Sequence, residues 1–280
     1  MIATSHLVTK LWFEDDADFA AAMNFVAIAA YTLGINVLSF VLMSNHVHFV
    51  LECDYDQAVK FISFFKERYS LYRRKRYGDK EFLRGNKIDI QEITLENESM
   101  ERAIAYVQCN PVAARLCVHP TGYPWGSGNV FFNPSRPLGR SAGSFSRRSL
   151  TKLLHSRLKV HPDWIVGEKG YILPQSYVPV SFVEGLYRIS TRYQYFLDSS
   201  SKAKKTKEQV APSFSDQLVL TASLNLCRSL FRSNSVDELS PMQTGELVRQ
   251  LRRSFSSDVT QICRVTGIQY AEAMNYLESF

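Results

Sequence analysis

The stretch VLMSNHVHFVLE, Val41 to Glu52, decides how the first half of the chain is read. It divides into two β-rich runs joined at Ser44-Asn45, a pair suited to a tight turn. Side chains of a strand alternate between its two faces, so residues two apart share a face. Val47, Phe49 and Leu51 then face a core, while His46 and His48 project together from the other side. Two imidazoles on one rigid strand make half of a metal site. The same spacing fits a surface pair on an edge strand, and the short pattern alone leaves both readings open.

Working outward from this hairpin, Ala3 to Phe13 contains the β-formers Leu7, Val8, Leu11 and Trp12. Asp15 and Asp16 favour a helix start. Phe19, Ala22, Met23, Val26, Ala30 and Leu33 recur at helical spacing before Gly34. A strand over Ile35–Met43 leads into the hairpin. On its far side Asp54 or Asp56 caps a helix running to about Tyr77, with Val59, Ile62, Phe65, Tyr69 and Tyr72 on its apolar side and Gly78 as its stop. Phe82 to Thr94 reads as a weaker strand region. Glu98-Ser99 opens a third helix, Met100 to about Cys109, and Pro111 follows. The order β-α-β-β-α-β predicts an α+β protein with a ferredoxin-like, split βαβ antiparallel sheet and helices on one face. The other face is then free to hold a site.

Three regions follow from the texture: residues 1–130 as a first domain, 131–198 as linker and accessory segment, and 199–280 as a mainly helical C-terminal domain. Gly126 to Ser149 is rich in Gly, Ser, Pro and Arg and reads as loop. SSSKAKKTKEQ, Ser199 to Gln209, is polar, basic and expected to be flexible. The 280 residues are 45% hydrophobic, enough for a core, and carry a net charge of +6, which favours an anionic partner. Five cysteines without a CxxC pair read as reduced thiols of a cytoplasmic protein. No apolar run suits a signal peptide or a membrane span. The absence of GxxxxGK[ST] argues against a nucleotide cofactor, and there is no HExxH.

The third helix carries Tyr106 and Asn110, four residues apart and so on one face. Taken without further context, Tyr106 also suits the core side of an amphipathic helix. MSNHVH (Met43–His48), YVQCNPVAARL (Tyr106–Leu116) and YPWGSG (Tyr123–Gly128) occur in that order. Together they resemble the REP-associated tyrosine transposases, single-tyrosine HUH-type enzymes with M-P-N-H-V-H, Y-I-x-x-N-P-V-R-A-G and Y-P-W-S-S. The resemblance covers about residues 1–130. Ser44 stands in place of the usual proline, and FLRGNKIDIQEI (Phe82–Ile93) in place of the usual Gly-x-x-Trp-Gln stretch. The resemblance implies a split βαβ fold, His46, His48 and Asn110 as metal ligands, and Tyr106 as nucleophile. It implies cleavage and rejoining of single-stranded or hairpin DNA through a 5′-phosphotyrosine, with Mg²⁺ or Mn²⁺. Two alternatives are a DNA-binding derivative that no longer cuts and a replication or conjugation nicking enzyme of the same HUH class.

Two further stretches carry charge or pattern. Lys66 to Lys87 holds nine basic and three acidic residues, an excess equal to the net charge of the chain. Lys66, Arg68, Tyr69, Arg73, Arg74, Lys75, Arg76 and Arg84 are expected to hold a phosphate backbone and stack unpaired bases. A solvated helix end would look the same. Ser257 to Leu277 has the texture of a helix-turn-helix, with Val259, Ile262 and Cys263 inward on the first helix. Gly267 takes the turn with Ile268 packed beneath it, and Ala273 and Tyr276 form the inner face of the recognition helix. A plain helical packing domain shares that pattern.

Overall fold

The computed structural model describes residues 1–200 and 214–278, in two compact units. Of the described residues, one comprises 1–5, 16–42 and 47–200, and the other 6–15, 43–46 and 214–278. Most of Ser199–Gln209, expected to be flexible, lies outside the described residues.

The first unit is built on a four-stranded antiparallel sheet in the order β2-β3-β1-β4. Its strands are β1 (Ile2–Thr4), β2 (Asn36–Met43), β3 (His46–Glu52) and β4 (Ile88–Ile90). Ile2 of β1 lies between Phe49 of β3 and Ile90 of β4. Helices α1 (Asp16–Leu33) and α2 (Tyr55–Tyr77) pack together. Phe49 meets Phe61 and Phe65 of α2 at ring-centroid distances of 5.3 and 5.5 Å, so this face of β3 is the core face. Asp54 is the cap of α2: its carboxylate accepts from the Gln57 backbone N–H, and the Gln57 side chain answers from the Asp54 N–H. Gly78, at φ 76°, ends the helix in the left-handed conformation.

Three expectations change. The first strand is three residues long rather than eleven. Beyond Ser5 the chain leaves the sheet, and Leu11 joins the core of the second unit. Of the four β-formers, Leu11 and Trp12 are buried and Val8 is exposed, so the run follows neither one strand nor one buried face. Helices are not confined to one face: β2 is buried at every position from Val37 to Met43, so both its sides are covered. On one of them Gln108 of helix α3 (Ser99–Gln108) bonds to Ser39 of β2. Nor is the region after residue 130 a linker. Gly139–Ser141 (β5) pairs with Ile165–Gly167 (β6), and α5 (Arg147–Leu154), α6 (Val180–Tyr187) and α7 (Ser190–Ser199) all belong to the first unit. Tyr187 is fully buried, and its hydroxyl donates to the Glu101 carbonyl of α3 at 2.8 Å.

YPWGSG also proves structural. Sheet order leaves β2 at an edge, and an uncovered edge invites pairing with other chains. Residues 123–127 lie along it. Leu42 N–H donates to the Trp125 carbonyl at 2.8 Å, and Ser127 N–H to the Phe40 carbonyl at 3.0 Å. Tyr123 Oη donates to the Leu42 carbonyl. At Gly126 a β-carbon would stand 2.7 Å from the Phe40 carbonyl oxygen, so the approach requires glycine.

The second unit is helical: α8 (Asp216–Phe231), α9 (Pro241–Phe255), α10 (Val259–Thr266) and α11 (Tyr270–Glu278). Its core includes Val219, Leu247, Leu251, Ile262, Cys263, Ile268 and Ala273. Ser240 and Gln243 form a capping box at α9, and Gly267 turns α10 toward α11 at φ 80°. Asp216 is buried and accepts hydrogen bonds from Ser44, Gln261 and Arg264. No helix among the described residues is long and apolar enough to cross a membrane.

Candidate active site

Tyr106 is held over β3 by the end of its own helix. Gln108, buried two residues later, donates to Ser39 Oγ on β2 at 2.6 Å and to Ser127 Oγ at 2.8 Å. Ser127 in turn accepts from the Phe40 N–H. This buried network fixes α3 on the sheet. His48 and Tyr106 then meet edge-on, with ring centroids 6.0 Å apart and planes at 90°. His48 is buried, whereas Tyr106 is half-buried. Tyr106 lines a cleft of about 570 Å³ together with Gln91, Arg102, Ala103 and Phe196.

Asn110 follows the end of α3, whose last residue is Gln108. The Val107 carbonyl would ordinarily accept from residue 111, but Pro111 has no N–H. Asn110 Nδ2 donates there instead at 3.1 Å, and to the Tyr106 carbonyl at 3.0 Å. A short helical turn, α4 (Asn110–Ala113), follows, so the chain continues helically past the proline rather than ending at Asn110. Two carbonyl acceptors dictate which end of the amide faces them. Oδ1, the atom able to bind a cation, is the other end.

His46 has a defined tautomer. Asn45 Nδ2 donates to the Leu7 carbonyl at 3.2 Å, so Asn45 Oδ1 is the atom 2.8 Å from His46 Nδ1. A carbonyl oxygen only accepts, so Nδ1 carries the proton of the neutral ring and Nε2 the lone pair. Orientation of this kind is typical of ligating histidines. His6 stacks on the His46 ring at 3.8 Å. The sequence reading missed Asn45, His6 and Gln108. Asn45 could have been found from its place beside His46; the other two depend on tertiary packing. The supposed edge-strand exposure of the histidine pair is excluded, since both rings are buried.

His48 and Asn110 belong to the first unit and His46 to the second; imidazole nitrogens and amide oxygens are each donors that divalent cations accept. Among the described residues no three His, Cys, Asp or Glu side chains converge as a metal site, but an amide donor lies outside that set.

The eight residues assigned to DNA divide sharply. Tyr69 is fully buried, among Phe65, Tyr72 and Phe82, and so is withdrawn from base stacking. Burial drives its hydroxyl pKa well up. Arg73 is buried against Asp18 and lies over the rings of Tyr77 and Phe82. Arg76 also pairs with Asp18. Lys66 is partly buried, with its ammonium on the Asn86 carbonyl, and burial lowers its pKa. Arg68 lies over Phe64, and Arg84 pairs with Glu81. Arg74 and Lys75 are exposed. In the second unit, α11 carries Glu272 and Glu278 and no Lys or Arg, a charge that does not favour DNA.

Comparison with protein-family models, curated proteins and solved structures yields no significant match.

Proposed function

We propose that the chain cuts and rejoins single-stranded DNA with Tyr106 as nucleophile, and with His46, His48 and Asn110 as ligands of Mg²⁺ or Mn²⁺. The observation that carries this reading is the edge-on contact of His48 and Tyr106, which lie far apart in sequence. The element order and the strand order β2-β3-β1-β4 support assigning the first sheet to the ferredoxin-like, split βαβ class. The three motifs resemble those of the REP-associated tyrosine transposases.

In the proposed reaction the Tyr106 oxygen bonds to phosphorus while the bond from phosphorus to the 3′ oxygen breaks. Tyr106 gives up its phenol proton as its oxygen attacks, the 3′ oxygen takes up a proton and leaves as a hydroxyl, and the 5′ side stays on Tyr106. Attack by a 3′-OH reverses these steps, so no nucleotide hydrolysis is needed. A bound cation would supply charge stabilisation at the phosphate oxygens. Asn45 would keep the lone pair of His46 on Nε2, and Gln108 would hold the tyrosine helix in place.

The test is a labelled hairpin oligonucleotide incubated with the protein and Mn²⁺, followed by denaturing electrophoresis and peptide mapping. Tyr106→Phe should abolish the covalent adduct while leaving fold and DNA binding nearly unchanged. An adduct mapped to another tyrosine, or cleavage unaffected by a chelator, counts against the proposal. Burial of both imidazoles favours a second reading, a DNA-binding protein that does not cut. Tight binding without adduct across a panel of hairpin ends would select it.

A further inference from the structure

Residues 147–159, RRSLTKLLHSRLK, carry five cations, Arg147, Arg148, Lys152, Arg157 and Lys159, and no carboxylate. All five are exposed. Among the described residues none of them is in an ion pair. The apolar residues of the segment turn inward: Leu154 is buried and Leu150 and Leu153 partly so. Helix α5 is anchored on α1, where Asn24 Nδ2 donates to the Leu153 carbonyl.

The C-cap of α5 joins this segment to α2. His155 adopts the left-handed conformation at φ 51°, and its ring meets Tyr72 edge-on at 4.9 Å. Tyr72 lies one helical turn before Lys75 and Arg76. Burial first, then the positive charge of Lys75 and Arg76, lowers the pKa of His155, as expected of a ring beside those cations. Segment 147–159 therefore extends the exposed end of α2, where Arg74 and Lys75 stand.

We infer that residues 147–159 and the C-terminal end of α2 form one ridge that binds the phosphate backbone of nucleic acid. This rests on the reading that the protein acts on DNA. Unneutralised cations set side by side repel one another, and an anionic polymer relieves that repulsion while releasing its own counterions. A membrane surface fits less well, because a helix lying in lipid presents leucine or aromatic side chains alongside its cations. The leucines of α5 face the protein.

The test uses the full chain with Arg147, Arg148, Lys152, Arg157 and Lys159 all changed to Gln. A fluorescent single-stranded oligonucleotide containing a hairpin is titrated at several KCl concentrations. Affinity should fall roughly 10- to 100-fold at low salt. The slope of log K against log salt should flatten by roughly 2–3, since each phosphate contact on a single strand contributes about 0.7. Unchanged affinity and slope would overturn the ridge. If the five changes lower the unfolding midpoint, Arg157→Gln with Lys159→Gln, both beyond α5, gives the same test with a smaller shift. Vesicles of phosphatidylserine form the second arm: wild-type binding to them and not to the oligonucleotide would also overturn the inference. The two proposals fail separately. Tyr106-dependent cleavage with a salt slope indifferent to the five charges removes the ridge alone. A charge-dependent slope in a protein that never forms an adduct removes the nucleophile alone.

Discussion

The two cationic stretches of the first unit, Lys66–Arg84 on and after α2 and Arg147–Lys159 around α5, are comparable in density and differ in how much of their charge reaches the surface. In the first, Asp18 of α1 draws Arg73 and Arg76 toward the protein, and aromatic rings cover what remains of Arg73. Lys66 turns to a backbone carbonyl, and Arg84 to Glu81. The second stretch contains no acid, and its five cations stay outside. Charge in a sequence becomes charge on a surface only where no partner lies across the packing interface. Here one buried carboxylate makes much of the difference.

Removing that carboxylate should give the largest effect. Asp18→Ala leaves Arg73 buried without its counter-charge, a situation that costs about 3–5 kcal/mol. Chemical denaturation should show the loss. The surviving folded fraction should bind DNA no less tightly than wild type, because no phosphate contact has been removed. If Asp18→Ala changes stability by less than 1 kcal/mol, Arg73 has a different role from the one drawn here.

A smaller effect is expected at Tyr69. Tyr69→Phe deletes one buried hydroxyl at a cost of about 1 kcal/mol. Affinity for single-stranded DNA should not change, because the ring lies wholly inside the protein. A several-fold loss of affinity at unchanged stability would return Tyr69 to the binding surface.

The local signals were legible. The two-residue turn at Ser44-Asn45, the cap at Asp54 and the left-handed stop at Gly78 each depend on a few neighbouring residues. Alternation correctly assigned Phe49 to the core and His48 to the opposite face. The motif resemblance singled out His48 and Tyr106, and the structure brings these two rings together. What could not be read depends on elements distant in sequence. Leu11 looks the same in sequence whether it pairs in a sheet or feeds another core. The inward turn of Arg73 requires knowing that Asp18 lies opposite. The tautomer of His46 follows from Asn45, which is itself set by the Leu7 carbonyl. The compact fold of residues 131–198 rests on scattered anchors such as Tyr187, each paired with a residue far away.

The finest test compares neighbours on one helix. Arg74 is exposed and Arg73 is buried, although they are adjacent in sequence. Arg74→Ala should leave stability within about 0.5 kcal/mol of wild type, as for most exposed substitutions. If Arg74 touches one phosphate, the salt slope for a single-stranded oligonucleotide should flatten by about 0.7. Arg73→Ala should do the reverse, lowering the unfolding midpoint while leaving the slope of the folded protein unchanged. Measuring both slopes on the same oligonucleotide removes differences in sequence and length. A shallower slope for Arg73→Ala than for Arg74→Ala would mean that the end of α2 opens on binding and presents the inner arginine. The contrast between the two stretches would then describe only the unbound protein.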